Sequence, residues 1–303
     1  MMKPESATTP VTVRCWGTRG SIPSPGPATA GYGGNTSCLE VCVGDRRLIF
    51  DAGSGARALG VDLASREGPT DATIFLSHFH WDHIQGFPFF PPLYDPGATL
   101  RIVGPVQHTE DGTELGVESL FAGQMGPIYF PIPFQAVAAD CTFGHLNEGS
   151  WERDGIVVKS MRVKHPSFTV GYRIEAGGVS IGYIPDNELL GDGYDAASEG
   201  DAAWRARLVD FLGDIDLLYH DAMYTEEEYL RRRLWGHSTY QQAVDLAHEA
   251  GAGDLVFFHH DPERSDEALD TIVSRVRDDA MAAGRSVNLR AAAEGHAIIL
   301  EES

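Results

Sequence analysis

Three imidazoles and a carboxylate crowd into His78-Phe79-His80-Trp81-Asp82-His83. Side chains of these types, packed together beside a core strand, would leave several polar groups unsatisfied unless a cation shared them. The run just before them, Thr73-Ile74-Phe75-Leu76, is apolar and β-branched and reads as a buried strand. Period-two alternation lets His78 and His80 turn their rings the same way, whereas Asp82 and His83 follow as the chain bends toward a helix. One turn can therefore feed two neighbouring metal positions with nitrogen and oxygen donors. The four cysteines, Cys15, Cys38, Cys42 and Cys141, have no C-x-x-C spacing and read as reduced core or strand residues.

The elements that must position this cluster recur along the chain as strands that end in a polar residue. Cys38–Val43 and Arg47–Phe50 form a hairpin around Gly44-Asp45 that runs into Asp51-Ala52-Gly53. Asp51 either pins the histidine-rich turn by hydrogen bonds or caps a helix over Ala56–Ala64. Strand patterns follow at Leu100–Pro105, at Ile156–Lys164 before His165, at Val170–Glu175, and at Val179–Ile184 before Asp186. Further strands at Asp216–Tyr219 and Leu255–Phe258 lead into His220-Asp221 and His259-His260. Helices are expected at Thr113–Phe121, Ala202–Leu212, Tyr240–Ala250 (capped by Ser238 or Thr239) and Asp266–Gly284, with a closing strand at Ala297–Glu301.

The H-x-H-x-D-H pattern resembles the signature of the metallo-β-lactamase fold superfamily, and the rest of the chain resembles the branch of ribonuclease Z and related phosphodiesterases. His220-Asp221-Ala222 is similar to that branch's His-Glu-Ala element with a shorter acid, and Gly236-His237-Ser238-Thr239 matches its Gly-His-Ser-Thr. The resemblance implies an α/β fold, an αββα sandwich of two mixed sheets flanked by helices. It implies His78, His80 and His165 on one metal, Asp82, His83 and His259 on a second, and Asp186 bridging them together with a water-derived hydroxide. Two divalent ions per chain are expected, zinc first, with manganese or iron allowed by the donors. His260 is the alternative to His259. Asp82, His237 and Asp221 form the implied catalytic set, His237 serving the leaving oxygen and Asp221 orienting it. One departure stands out: the short span from His165 to Asp186 leaves no room for the long arm that many ribonuclease Z enzymes use to hold tRNA.

A chain of 303 residues with 43% hydrophobic residues can bury a sizeable core. Residues 1–10 read as a flexible start and 11–303 as a single domain. A formal net charge of −21 disfavours structured RNA or DNA, so of the phosphodiesters that the resemblance implies as substrates a small molecule, such as a small or cyclic nucleotide, comes first. Lactone, thioester or β-lactam hydrolysis, and a metal-containing metabolite binder without chemistry, are the rivals. Without a membrane-length apolar run or a secretory signal pattern the reading is cytoplasmic. A homodimer is implied by similarity alone. The Gly/Pro-rich loop Gly17–Pro27 either touches substrate or simply turns, and the aromatic stretches Phe87–Pro96 and Met125–Phe134 either wall the site, form a dimer surface or pack inside. Arg231-Arg232-Arg233 either lends positive potential to the site or pairs with Glu226-Glu227-Glu228 on a solvated helix face. His108 and His145 read as surface residues.

Overall fold

The computed structural model describes residues 9–191 and 200–302, so most of the expected flexible start, residues 1–8, lies outside the described residues. The first sheet takes β1 (Val11–Gly17), β2 (Cys38–Val43), β3 (Arg46–Phe50), β4 (Asp71–Phe75) and β5 (Thr99–Gly104). A small ladder, β6 (Gln107–His108) with β7 (Glu114–Leu115), precedes β8 (Asp140–His145), the edge of that sheet. The second sheet comprises β9 (Gly149–Arg153), β10 (Ile156–Val163), β11 (Thr169–Ala176), β12 (Val179–Ile184), β13 (Leu217–Asp221), β14 (Asp254–Phe258) and β15 (Asn288–Ala291). The chain closes on β16 (Ala297–Leu300), which returns to pair with β1. Both sheets are mixed: β3, β4, β5 and β8 run parallel, as do β12 to β15, and the remaining neighbours within these two sheets are antiparallel.

The helices are α1 (Gly55–Ala64), α2 (Trp81–Ile84), α3 (Val117–Gln124), α4 (Asp201–Phe211), α5 (Glu226–Tyr229), α6 (Tyr240–Glu249) and α7 (Asp266–Ala282). Three apolar layers explain the arrangement. Phe50, Phe75, Tyr172, Tyr183 and Phe258 interleave between the sheets, while α1 and α3 cover the outer face of the first sheet and α4, α6 and α7 that of the second. This is the expected αββα sandwich. Strands β13 and β14 are buried on both faces, which is why LLYHD and DLVFF lack an alternating pattern.

Several local expectations are corrected. The helix expected over Thr113–Phe121 begins only at Val117, because Glu114-Leu115 is recruited into the ladder with Gln107-His108. In the aromatic stretch after the histidine turn, Phe87–Phe89 and Pro91–Tyr94 form 3-10 turns with proline in the first turn, where its missing N–H costs nothing. Phe87, Phe90 and Leu93 are buried in the core beneath α1 and α3, so internal packing accounts for much of Phe87–Pro96, whereas Met125–Phe134 buries Met125 and leaves Ile128 and Tyr129 exposed. Strands β8, β9 and β15, short and partly polar, carry no strong pattern of their own.

Candidate active site

All the chemistry-bearing residues gather beyond the carboxyl ends of β4, β10, β12, β13 and β14, where parallel strands leave a crevice between the sheets. Ligand atoms of His78, His80, His165 and Asp186 lie within 4.8 Å of one another, as do those of Asp82, His83 and His259. Asp186 joins the two groups: its Oδ1 lies 3.0 Å from His83 Nε2 and 3.3 Å from His259 Nε2, its Oδ2 3.6 Å from His165 Nε2 and 3.8 Å from His78 Nε2. Asp82 Oδ2 lies 3.1 Å from His259 Nε2 and 3.3 Å from His83 Nε2. His80, at the solvent-exposed rim, sets Nδ1 3.0 Å from His165 Nε2.

These spacings fit a cation. Four ligands at the ~2.0–2.1 Å of zinc–nitrogen bonds sit about 3.3 Å apart along a tetrahedral edge. His78 Nε2 is buried with no hydrogen-bond partner, and Asp186 Oδ1 makes no well-formed hydrogen bond despite the nearby imidazole. Charge states agree. Burial, with the neighbouring imidazoles, pushes His78 well down and His165 down to about 3, leaving neutral rings of the kind a metal binds. Burial opposes ionisation of Asp186 and Asp82, but the surrounding histidines outweigh it and hold both well below the usual carboxylate range. His83 goes the other way. Burial disfavours its charge, yet Asp186, Asp82 and Asp51 raise it well above its ordinary value, so these carboxylates favour positive charge at this place.

The rings are held from behind. Asp51 accepts hydrogen bonds from His83 Nδ1 (2.7 Å), Ser77 N (2.7 Å), Ser77 Oγ (2.8 Å) and Tyr183 Oη (2.8 Å), pointing His83 Nε2 into the cluster. It therefore pins the histidine turn and does not cap α1, whose N-cap is Ser54. Asp51→Ala should leave these four donors without their carboxylate, lowering metal affinity by about 10–100-fold and reducing thermal stability. Chelator competition and thermal unfolding measure the two effects; unchanged affinity would show that His83 needs no such support. His165 Nδ1 donates to Gly236 O at 3.0 Å, freeing Nε2 for the cluster. Gly236 sits at φ +88°, and a Cβ there would lie 2.2 Å from His165 Nδ1, so this position demands glycine.

The choice between the adjacent histidines is made by backbone torsion. His259 adopts φ +60° and faces Asp82, whereas His260 is buried with Nε2 donating to Ala292 O. Ser21, Asp51 and Leu234 are also non-glycine residues at positive φ around the site, a concentration of strain that a functional cleft tolerates. The Gly17–Pro27 loop reaches the cluster, since Ser21 N donates to Asp82 Oδ2 at 2.7 Å. Arg19 anchors that loop. Fully buried, it donates to Gly33 O, Asp261 O and Arg264 O, a role no motif signalled.

Beside the two ligand groups, His237 Nδ1 donates to Asp221 Oδ2 at 3.0 Å and lies 4.0 Å from Asp186 Oδ2. Burial works against its charge, but Asp221, with Asp186 and Asp82 farther off, lifts it to about 9. Asn187 N and Ser238 N also donate to Asp221. Thr239, not Ser238, caps α6 through a capping box with Gln242, and Ser238 Oγ donates instead to Asn187 O. Glu188 went unnoticed in the sequence: fully buried, it accepts from Tyr229 Oη, Leu234 N and Gly236 N and so ties down the loop bearing His237. Arg232 does not pair with the Glu226–Glu228 face, since α5 ends before it. Its guanidinium lies over Tyr224 and 3.4 Å from Asp261, while Arg264 takes Glu228.

With this geometry in view, residues 46–260 match the family model described as the β-lactamase superfamily domain. The chain belongs to that superfamily. A superfamily relative, the ribonuclease Z of Haloarcula marismortui, is 24% identical over 86% of this chain and 89% of its own length. Among solved structures, the metallo-β-lactamase fold protein YhfI from Bacillus subtilis superposes with a TM-score of 0.66 at 20% identity, covering 96% of this chain and 100% of that one. A diphosphatase from the PhnP family also gives 0.66, at 17% identity, over 96% of this chain and 98% of that one. The superfamily chain thus carries the metallo-β-lactamase fold. None of its helices, among the described residues, is long and apolar enough to cross a membrane.

Proposed function

We propose that the chain is a metal-dependent hydrolase that cleaves small phosphodiesters, small or cyclic nucleotides ahead of structured RNA. The observation that carries this reading is His237 held by Asp221 within 4.8 Å of ligand atoms of Asp186 and His259 and left over once the two proposed triads are filled, where a leaving-group acid is needed and a pure binder has no use for one. The ribonuclease Z relative and the diphosphatase neighbour support hydrolysis of phosphate linkages. Two divalent ions, zinc by preference, would be held by His78, His80 and His165 and by Asp82, His83 and His259, with Asp186 shared. When bound, such ions supply a water nucleophile at neutral pH and neutralise charge on the phosphate. Asp82 is steadied by Ser21 N–H and His259 so that its carboxylate keeps one orientation. His237 keeps its proton through neutral pH and presents it to the departing alkoxide, while Asp221 fixes the ring and stabilises its charge.

The preference for small substrates rests on charge and shape. A net charge of −21 opposes a polyanion, and the chain passes from His165 through the hairpin of β11 and β12 to Asp186 with no projecting arm. The metal-loaded protein should therefore turn over bis(p-nitrophenyl) phosphate and cyclic or dinucleotides, and process precursor tRNA feebly at physiological salt. A panel adding a lactone and a β-lactam completes the test. Specific tRNA processing without small-diester turnover would reverse the substrate order, and turnover of the acyl substrates alone would replace phosphodiester chemistry with acyl transfer.

A further inference from the structure

Next to His237 lies a cleft of about 400 Å³ lined by Tyr224, Arg232, Trp235, Asp261 and Glu263. Taking the phosphodiesterase reading as given, we propose that this cleft holds the nucleobase of the departing alcohol, which makes the substrate a diester whose leaving group is a nucleoside. The position follows from His237. The oxygen it protonates leaves on its side of the site, so whatever that oxygen carries must enter the same cleft.

The lining then selects the chemistry. Trp235 is 59% exposed, presenting an indole that nothing in the fold requires at the surface. Flat aromatic faces of this kind stack on bases. Arg232 has one face over Tyr224, 4.9 Å from the ring centroid, and one nitrogen 3.4 Å from Asp261 Oδ2. These contacts pre-orient the planar guanidinium and leave further N–H donors for a base carbonyl or ring nitrogen. Asp261 and Glu263 offer acceptors for amino or imino N–H groups. A second phosphate on the leaving side would fit poorly, because it would meet two carboxylates and one guanidinium in a chain already at −21. A neutral base carrying both donors and acceptors meets no such repulsion.

The test uses the metal-loaded protein with a dinucleoside monophosphate and with a dialkyl phosphate diester that carries no base on either side. These diesters share alkoxide leaving groups and differ in whether the departing alcohol carries a base. Free nucleosides, titrated calorimetrically, give a readout independent of turnover. The wild type should favour the dinucleoside substrate through KM and bind nucleosides. Trp235→Ala should raise that KM on the order of tenfold, erasing the preference, and weaken nucleoside binding to a similar degree. Trp235→Phe, which keeps a flat ring, should restore most of both, and Arg232→Ala should flatten discrimination among bases. Equal KM values for the two substrate types in the wild type, or nucleoside affinity unchanged by Trp235→Ala, would overturn the pocket. Absence of turnover of every diester tells against the phosphodiesterase reading instead; nucleoside binding that depends on Trp235 would still support the pocket.

Discussion

His237→Ala is expected to cut kcat by ~10²–10⁴ for a diester with a ribose hydroxyl as leaving group, and far less for one that releases p-nitrophenolate. A ribose alkoxide needs a proton as it departs, whereas p-nitrophenolate leaves without one. His237 is assigned to neither proposed triad, although a ring nitrogen lies within 4.8 Å of ligand atoms of Asp186 and His259, and its Nδ1 donates to Asp221, so its removal should also spare the metal content. Asp221→Asn should show the same leaving-group dependence in weaker form, because it removes the negative charge that lifts His237 to about 9. Steady-state kinetics on the two leaving groups, alongside elemental analysis of each variant, makes the measurement. Equal losses for both substrates would mean lost positioning, and no loss with either would reduce the Gly236–Thr239 match to a helix start.

Asp186→Ala is expected to lower metal content from two ions per chain to one or none, and to lower kcat by at least about 10²-fold on every diester. Partners of metal ligands that lie one contact farther out already cost 10–100-fold when removed, and Asp186 faces both groups directly. Its two oxygens lie within 3.0–3.8 Å of His83, His259, His165 and His78, so alanine would remove the anion shared by the two groups and leave His83 and His259 with Asp82. Elemental analysis after reconstitution with zinc reads the occupancy. Two ions retained with full activity would show that Asp186 is no bridge, and at most one ion in the reconstituted wild type would end the dinuclear assignment.

Much of the candidate site was legible because its signals are local. Four of its residues fall in one turn, and His165, Asp186, Asp221 and His259 stand at the ends of strands, as at Val179–Ile184 before Asp186. Bounds shifted by a residue or two where hydrogen bonding, not pattern, ends an element. Strand β8 was illegible since it is an edge strand with a glycine, and the ladder that displaced the start of α3 arises from two residues pairing with a segment upstream. Arg232 had two open readings for a similar reason: helical spacing links it to the Glu226–Glu228 face only if α5 continues, and it stops at Tyr229.

Sequence alone supplied the donor types of the histidine turn, because residue chemistry and short-range periodicity are written in consecutive positions, and its resemblance to the metallo-β-lactamase superfamily supplied the αββα class and the order of the candidate ligands. Tertiary structure alone decided between His259 and His260, since the two are neighbours and only a left-handed torsion after β14 sends one to Asp82 and the other to Ala292. It likewise gave Asp51 four donors drawn from three separate strands or turns, buried Arg19 and Glu188 as anchors of the loops around the cleft, and set Trp235 and Arg232 beside His237. Each of these is a meeting between residues far apart in the chain. Such meetings are fixed by how two sheets pack and where their loops converge, which no local pattern records.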